Sequence, residues 1–322
     1  MRIPMYSGRS RGGPLGALGG RVLLVFLIIV ALGAWWFSNQ KTGITGRRQM
    51  ITVDVADEIA MGREAYMQVL TGQPILCFKG ATSCSIQDAQ LVDEVREIGD
   101  RLRKAALEWE KDGGRMSVVG DTASHLPAWG PLADKFNWEF NVIEDEKTAN
   151  AFALPGGYVA VYSGILPYAK NADGLAAVMG HEIGHALARH GAERMSQQQV
   201  MQFGQVAAGA VFGDMGVGTQ RMVMGALGAG AEVGVLLPYA RSQESEADMI
   251  GLELMVRACF DPRETPLLWK RMETLGDTKG APPSFLSTHP DSAARAKAFE
   301  TAMPTAIKAY QAKCGALPPR AD

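Results

Sequence analysis

Two histidines and a glutamate stand close together in the stretch HEIGH at residues 181–185. Residues four apart lie on one face of an α-helix, so His181 and His185 can direct ring nitrogens at a single metal ion. Glu182, next to the open coordination position, can accept a proton from water that zinc acidifies to a pKa of about 7. This spacing predicts zinc-dependent hydrolysis of a peptide bond. The alternative is a pair of core histidines without a ligand role.

Apolar residues recur at three- and four-residue steps around this stretch, which predicts a buried helix over residues 173–193. Asn171 and Asp173 are its candidate N-caps. Gly180 and Gly184 each cost the helix about 1 kcal/mol relative to alanine. Their spacing therefore indicates a face that the backbone of another segment approaches closely. We expect that segment to be a strand lying over the metal.

A catalytic zinc site needs three protein ligands and an open position, and a second helical pattern from residue 238 onward supplies a third ligand. Glu244 and Asp248 share one face of this helix. Glu244 would coordinate the ion, and Asp248 would accept the second ring N–H of a ligand histidine and fix its tautomer. Glu246 points away from that face and is predicted to be a solvated charge. His190 lies off the metal face of the first helix and is predicted to be a surface or helix-terminus cation.

Four runs, all between residues 140 and 300, carry a family resemblance. In chain order they are NAFALPGG at 150–157, HEIGHALARH at 181–190, ESEAD at 244–248 and THP at 288–290. Together they resemble the M48 family of zinc metallopeptidases, within its Oma1/BepA/LoiP-like branch, which is involved in membrane and envelope protein quality control. Four motifs in the right order make the resemblance specific.

The resemblance implies an α+β fold. This would be a mostly helical zincin-type metalloprotease domain, with a small antiparallel sheet or hairpin beside the HExxH helix. It also implies one zinc ion per chain, bound by His181, His185 and Glu244, with Glu182 as the general base. These are the same four residues that the spacing argument selects.

Residues 149–153 and 158–162 are β-prone and are separated by Pro155-Gly156-Gly157, which predicts a hairpin. The edge of a hairpin can bind an extended peptide through its main chain. The resemblance implies that this edge holds substrate across the zinc. The predicted substrate-binding residues are Asn150, Ala151, Phe152, Ala153, Gly156 and Gly157. An ordinary structural hairpin is the alternative.

His289 and Arg295 match an HPxxxxR pattern of the same branch and are predicted catalytic-site residues. In some members this histidine is thought to fill the open zinc position and to hold the enzyme inactive until it is displaced. A neutral imidazole near zinc can instead donate a hydrogen bond to the oxyanion of the tetrahedral intermediate. In a third interpretation, Thr288-His289-Pro290 only caps the following helix.

The N-terminal region is basic and then apolar, and its tryptophans suit the far membrane interface. A cleaved signal peptide with a soluble periplasmic product is the alternative to an uncleaved inner-membrane anchor. The bulky Trp-Trp-Phe run at 35–37 argues against cleavage. The predicted organisation is a cytoplasmic basic segment at 1–21, a transmembrane anchor at 22–37, a linker at 38–52 and a periplasmic M48-like metallopeptidase domain at 53–322.

Composition and charge limit the classes of protein and partner. A hydrophobic fraction of 47% indicates a globular chain. Seven of the 32 basic residues and none of the 34 acidic residues lie in the first fifty positions, so the remainder is net acidic. Nothing in this pattern suggests nucleic acid as a partner. The predicted partners are unfolded or misassembled proteins and the inner membrane.

Four cysteines allow three pairings, of which Cys77 with Cys84 and Cys259 with Cys314 is the simplest. An oxidising periplasm would permit both disulfides.

Several other segments are predicted to be helical. Residues 53–70 and 90–110 have the pattern of amphipathic helices that shield the catalytic core. Pro262 starts a helix and Pro304 breaks the last one. Residues 197–237 are interpreted as helices packed closely under the site, with a mobile lid or a membrane-associated segment as further interpretations.

Two functions from different classes follow. The first is a membrane-anchored zinc endopeptidase that cuts misfolded or misassembled envelope proteins. The second is a zinc-bound, latched chaperone or adaptor with little proteolytic turnover. Glu182 favours the first, because no structural task at its position requires a carboxylate rather than an amide.

Overall fold

Helices make up most of the residues that the structure describes, and two small sheets complete this part of the chain, so the prediction of a mostly helical α+β fold is confirmed. The computed structural model describes residues 14–77, 84–121, 123, 125, 127–212, 225, 237–278, 284–289 and 292–319. The helices are α1 Pro14–Ser38, α2 Val55–Gly72, α3 Ile86–Lys111, α4 Leu166–Ala169, α5 Ala172–Leu187, α6 His190–Phe212, α7 Leu237–Arg257, α8 Glu264–Thr278, α9 Ser284–Thr288 and α10 Ser292–Cys314.

The strands form one two-stranded and one three-stranded sheet among the described residues. They are β1 Gln40–Thr42, β2 Arg48–Met50, β3 Glu139–Ile143, β4 Ala151–Leu154 and β5 Tyr158–Tyr162. Strands β1 and β2 pair with each other, and the larger sheet has the order β3-β5-β4. The predicted hairpin is β4 and β5. The larger sheet is mixed rather than antiparallel, because the chain reverses direction twice between β3 and β5 and leaves them parallel.

The predicted turn residues shape the hairpin. Gly156 and Gly157 have φ angles of 94° and 89°, a left-handed conformation that glycine adopts without strain. Strand β5 is almost fully buried in the middle of the sheet, while β4 lies at its edge and against α5. The hairpin therefore presents β4, not β5, next to the helix that carries the HExxH motif.

Helices α5 and α7 cross at very short range. A Cβ atom on Gly180 would lie 3.2 Å from Gly251 O, and one on Gly184 would lie 2.9 Å from Ala247 O. The glycine face of α5 therefore packs against a helix, and the prediction of a strand at this face is wrong. The physical reason is that α7 also uses small residues at the crossing, so two helix backbones approach where only a strand was expected.

Helix α5 begins where the sequence predicts and ends earlier. The Asn171 side chain accepts a hydrogen bond of 2.8 Å from Gly174 N and caps the helix. The predicted end at 193 is wrong, because α5 stops at Leu187 and Arg189 has a φ of 57°. This left-handed residue turns the chain before α6 starts. An arginine gives no sequence signal for such a turn, so the periodic pattern predicts a helix that extends past residue 189.

The amphipathic helices α2 and α3 occur where they were predicted. The last helix departs from its prediction, because α10 continues through Pro304 rather than breaking there. Proline costs a helix interior about 3 kcal/mol. Buried residues on both sides of it, Phe299 and Ala306 among them, hold the helix against the core. Tertiary packing thus overrides the local preference.

The predictions for the N-terminal region fall partly outside the described residues, which leave out 1–13. Helix α1 contains the predicted anchor, residues 22–37, and contacts α6. Within the described part of the chain, none of the helices combines the length and the apolar character needed to cross a bilayer. The predicted linker contains the β1–β2 hairpin, where Ile44, Met50 and Ile51 are buried. The predictions for residues 197–237 lie largely outside the described residues, because only Gly225 is described between 213 and 236.

Both predicted disulfides are present, Cys77–Cys84 and Cys259–Cys314. The second closes a sequence separation of 55 residues. It joins the residues just after α7 to the end of α10.

The helix crossing yields a stability prediction. In Gly251→Ala the new Cβ would lie 2.8 Å from His181 N and 2.9 Å from Gly180 C, so the helices must move apart. We expect a loss of about 1–3 kcal/mol in the free energy of unfolding from overpacking. Gly204→Ala in α6 meets nothing within 4 Å and should gain about 0.5–1 kcal/mol. Urea unfolding measures both, and equal effects would contradict the tight crossing.

Candidate metal centre

Donor atoms of three side chains converge at one point between α5 and α7. His181 Nε2 lies 3.1 Å from His185 Nε2 and 3.3 Å from Glu244 Oε2. His185 Nε2 lies 3.4 Å from Glu244 Oε1. Donors around a tetrahedral zinc, at bond lengths of about 2.0–2.1 Å, are themselves about 3.3–3.4 Å apart. The three buried side chains therefore have the chemistry and the spacing of a zinc ligand set.

Asp248 and Arg295 fix the orientation of His181. His181 Nδ1 lies 2.9 Å from Asp248 Oδ1. Arg295 donates to both carboxylate oxygens at 2.7 Å through Nε and Nη2. Burial raises the pKa of Asp248, but the Arg295 guanidinium and His181 outweigh burial and bring the pKa below its ordinary value. The ionised carboxylate accepts the Nδ1–H, which leaves the lone pair of His181 Nε2 facing the cluster.

Glu182 lies beside the cluster with an unsatisfied oxygen. The residue is buried, and its Oε1 has no hydrogen-bond partner among the described residues. His289 Nε2 lies 3.3 Å from this same oxygen but does not form a hydrogen bond with it. An unpaired buried carboxylate oxygen is costly. Such an atom fits a base whose partner is a bound molecule, so the position suits the predicted role.

His289 joins the cluster from the end of α9. Its Nδ1 lies 2.9 Å from Glu244 Oε2 and 3.2 Å from His181 Nε2. The candidate donor atoms of His181, His185, Glu244 and His289 all lie within 4.8 Å of one another. Arg295 donates to the His289 carbonyl at 3.0 Å. The imidazole thus faces the cluster of candidate ligands.

The placements of His190 and Glu246 correct two predictions. Both side chains are buried, so the expectation of surface charges is wrong. His190 Nδ1 lies 2.8 Å from His185 Nδ1, and His190 Nε2 lies 3.0 Å from Glu246 Oε2. In an uninterrupted helix, five residues would put His190 about 140° around the axis from His185. The left-handed turn at Arg189 removes that separation.

Glu246 is held by residues from the β1–β2 hairpin. Thr45 and Arg47 both donate to its carboxylate. Burial raises the pKa of Glu246, but the bond from His190 and the charge of Arg47 lower the pKa to about 2. Arg47 also contacts Glu193 through two bonds of 2.9 and 2.7 Å. Sequence reasoning missed these residues, because nothing local indicates a contact across roughly 200 positions.

The predicted substrate-binding residues fall into two groups. Strand β4 pairs with β5 on one side, and no described strand pairs with its other edge. Asn150 O accepts a bond of 3.0 Å from Tyr162 N. Because pairing alternates along antiparallel strands, Phe152 also faces β5, while Ala151 and Ala153 turn their backbone groups to the open edge. Gly156 and Gly157 lie in the turn instead.

A buried His-His-Glu cluster with an adjacent glutamate and an open strand edge is the arrangement of a metallopeptidase. Sequence comparison then identifies the family. Residues 121–303 match Peptidase family M48. The chain is 41% identical over 289 residues to "Mitochondrial metalloendopeptidase OMA1" of Schizosaccharomyces pombe, covering 89% of this chain and 74% of that protein. The chain belongs to peptidase family M48.

Two other relatives show the same branch. "Mitochondrial metalloendopeptidase OMA1" of Saccharomyces cerevisiae is 36% identical over 58% of this chain and 53% of its own length. "Beta-barrel assembly-enhancing protease" of Yersinia pestis is 33% identical over 74% of this chain and 42% of its own length. The chain thus spans about half the length of these two relatives. The predicted family, its branch and the metalloendopeptidase class are confirmed.

The Asp248–Arg295 pair yields a second prediction. Arg295→Met leaves a buried carboxylate without its cation, which costs about 3–5 kcal/mol of unfolding free energy. Replacing both partners, in Arg295→Met with Asp248→Leu, should recover much of that loss, because no unpaired charge remains. Chemical unfolding of the two variants in the presence of a chelator measures the difference. A double variant no more stable than the single one would contradict the pairing.

Proposed function

We propose that the chain is a membrane-anchored zinc endopeptidase that hydrolyses peptide bonds in misfolded or misassembled envelope proteins. The observation that carries this proposal is the set of three buried donors from His181, His185 and Glu244, 3.1 to 3.4 Å apart, with the unsatisfied Glu182 oxygen beside them. A carboxylate beside the ligands suits a hydrolytic site, where it can act as the base toward the attacking water.

Zinc, Glu182 and His289 would have separate roles in the hydrolysis. Zinc, when bound, supplies a Lewis acid that polarises the scissile carbonyl and makes water acidic at neutral pH. Glu182 takes a proton from the attacking water as the water oxygen bonds to the carbonyl carbon. Glu182 then gives that proton to the amide nitrogen as the C–N bond breaks. His289, 3.3 Å from Glu182 through its Nε2, can donate to the developing oxyanion.

The open edge of β4 is the proposed substrate track. An extended peptide pairing with Ala151 and Ala153 would lie along α5 and reach the cluster. The Ala151 N–H already donates a hydrogen bond of 3.0 Å to Asn150 Oδ1. The Ala153 N–H and carbonyl therefore remain as the main pairing groups. Recognition of this kind depends on the substrate main chain, as a quality-control protease requires.

The membrane anchor and the periplasmic location are part of the proposal. The basic segment and the apolar stretch 22–37 support a single-pass topology with the catalytic domain outside the cytoplasm. Two disulfides suit an oxidising compartment. The relative from Yersinia pestis has a name that refers to β-barrel assembly, which supports envelope proteins as substrates.

A latched adaptor is the second candidate, and His289 favours it. Its Nδ1 lies within 3.2 Å of two candidate ligand atoms, so it can complete the coordination and block the open position. Such a site would bind zinc and turn over little substrate.

Glu182→Gln decides between the two candidates. We expect cleavage of an unfolded casein to fall about 10²–10⁴-fold, because the general base is lost. Zinc content, measured by atomic absorption, should stay at one ion per chain. Glu64→Gln, an exposed change on α2, is the matched control and should leave cleavage unchanged. If Glu182→Gln and the wild type cleave casein at the same rate with zinc bound, the adaptor hypothesis is supported and the endopeptidase proposal is contradicted.

Proline substitutions test the strand edge. Ala153→Pro removes an N–H that faces outward, and edge strands tolerate proline at such positions. We expect kcat/KM for peptides to fall about threefold to tenfold, the value of one backbone hydrogen bond, with little change in stability. Phe152→Pro removes an N–H that pairs with β5 and should destabilise the fold. Thermal unfolding and peptide kinetics separate the two, and an unchanged kcat/KM for Ala153→Pro would contradict the substrate track.

A further inference from the structure

We propose that His190 and Glu246 form a positioning relay for the metal ligand His185, anchored by Arg47 of the β1–β2 hairpin. This inference rests on the proposed zinc site. It assigns a role to a buried polar group that the hydrolytic chemistry does not use. The relay would orient His185 as Asp248 and Arg295 orient His181.

Hydrogen-bond chemistry assigns the tautomers along the relay. The Glu246 carboxylate already accepts from Thr45 and Arg47, so its contact of 3.0 Å with His190 Nε2 places a proton on that nitrogen. In neutral imidazole the other nitrogen is then an acceptor. His190 Nδ1 therefore accepts from His185 Nδ1–H across 2.8 Å. This places the lone pair of His185 Nε2 at the cluster, where a metal ligand needs it.

The break between α5 and α6 makes the relay possible. Arg189 holds its left-handed conformation through Nε to Glu58 Oε2 at 2.6 Å and Nη2 to Val53 O at 2.7 Å. His190 then starts α6 and packs edge-on against His185, with ring centroids 4.8 Å apart at 75°. Arg189 thus keeps a backbone conformation that is costly for a non-glycine residue. This conformation directs the His190 imidazole towards His185.

The far end of the relay is tied to the hairpin that follows α1. Thr45 and Arg47 of this hairpin donate hydrogen bonds to the Glu246 carboxylate. Gln49 of β2 donates to Ala188 O at 2.8 Å, directly at the end of α5. The carboxylate therefore has fixed partners on both sides and holds His190 in one orientation.

Zinc affinity tests the relay without relying on activity. His190→Phe keeps the ring and removes both nitrogens, and Glu246→Gln keeps the shape and removes the charge. We expect each to weaken zinc binding about 10–100-fold, the usual effect of losing a partner of a ligand histidine. Competition with a chromophoric chelator, using zinc ions and the full chain, gives the dissociation constants. His190→Asn retains an acceptor near the Nδ1 position and should bind zinc more tightly than His190→Phe.

Glu253→Gln is the matched control. Glu253 lies on the same helix as Glu246 and is fully buried. Its described partners are Ser117, Val118 and Arg257, none of which is a candidate ligand. We expect this variant to lose stability while keeping wild-type zinc affinity. The visible spectrum of the cobalt-substituted protein should change in the relay variants and not in the control, because only they alter the geometry of a ligand.

The outcomes separate the relay from the proposed function. If the wild type binds no zinc at this site, the proposed function fails. If the wild type binds zinc, and His190→Phe and Glu246→Gln match its affinity and cobalt spectrum, the relay is overturned while the zinc site stands. An effect of Glu253→Gln as large as theirs would also overturn it, because the loss would then be a general result of removing buried charge.

Discussion

The close crossing of α5 and α7 is the constraint on which the site depends. His181 and His185 come from one helix and Glu244 from the other, so the three donors meet only if the two backbones nearly touch. Glycine at positions 180, 184 and 251 removes the side chains that would keep them apart. The cost in helix preference, about 1 kcal/mol for each glycine, is therefore offset by the packing that brings the ligands together.

Much of the fold and the centre of the site could be predicted from short-range patterns. The HExxH spacing, the Glu244–Asp248 pair and the turn at Gly156-Gly157 each follow from rules that act over a few residues. The hairpin, the amphipathic helices and the Cys77–Cys84 disulfide follow from rules of the same kind. The Cys259–Cys314 disulfide, with a separation of 55 residues, follows instead from pairing the two cysteines that remain. The predicted positions of His181, His185, Glu244 and Asp248 relative to one another agree with the observed contacts.

The remainder depends on contacts between distant segments. The sequence predicts a surface position for His190, because an arginine gives no signal for the turn that redirects it. That turn is held by Glu58, which lies 131 positions earlier. The sequence predicts an exposed Glu246, because the partners that bury it come from the distant hairpin near residue 45. Pro304 failed to end α10, since burial outweighs a missing hydrogen bond. In each case a local preference gives way to packing that no window of sequence contains.

The Cys259–Cys314 disulfide affects what happens to the metal centre when α7 and α10 separate transiently. It covalently connects the ends of α7 and α10, the two helices that carry Asp248 and Arg295. When the helices separate, the crosslink limits how far their ends can drift, so the two charges stay tethered. Loop closure of this size reduces the entropy of the open chain by an amount worth roughly 4 kcal/mol. Asp248 and Arg295 can therefore re-form their ion pair without sampling the whole unfolded ensemble.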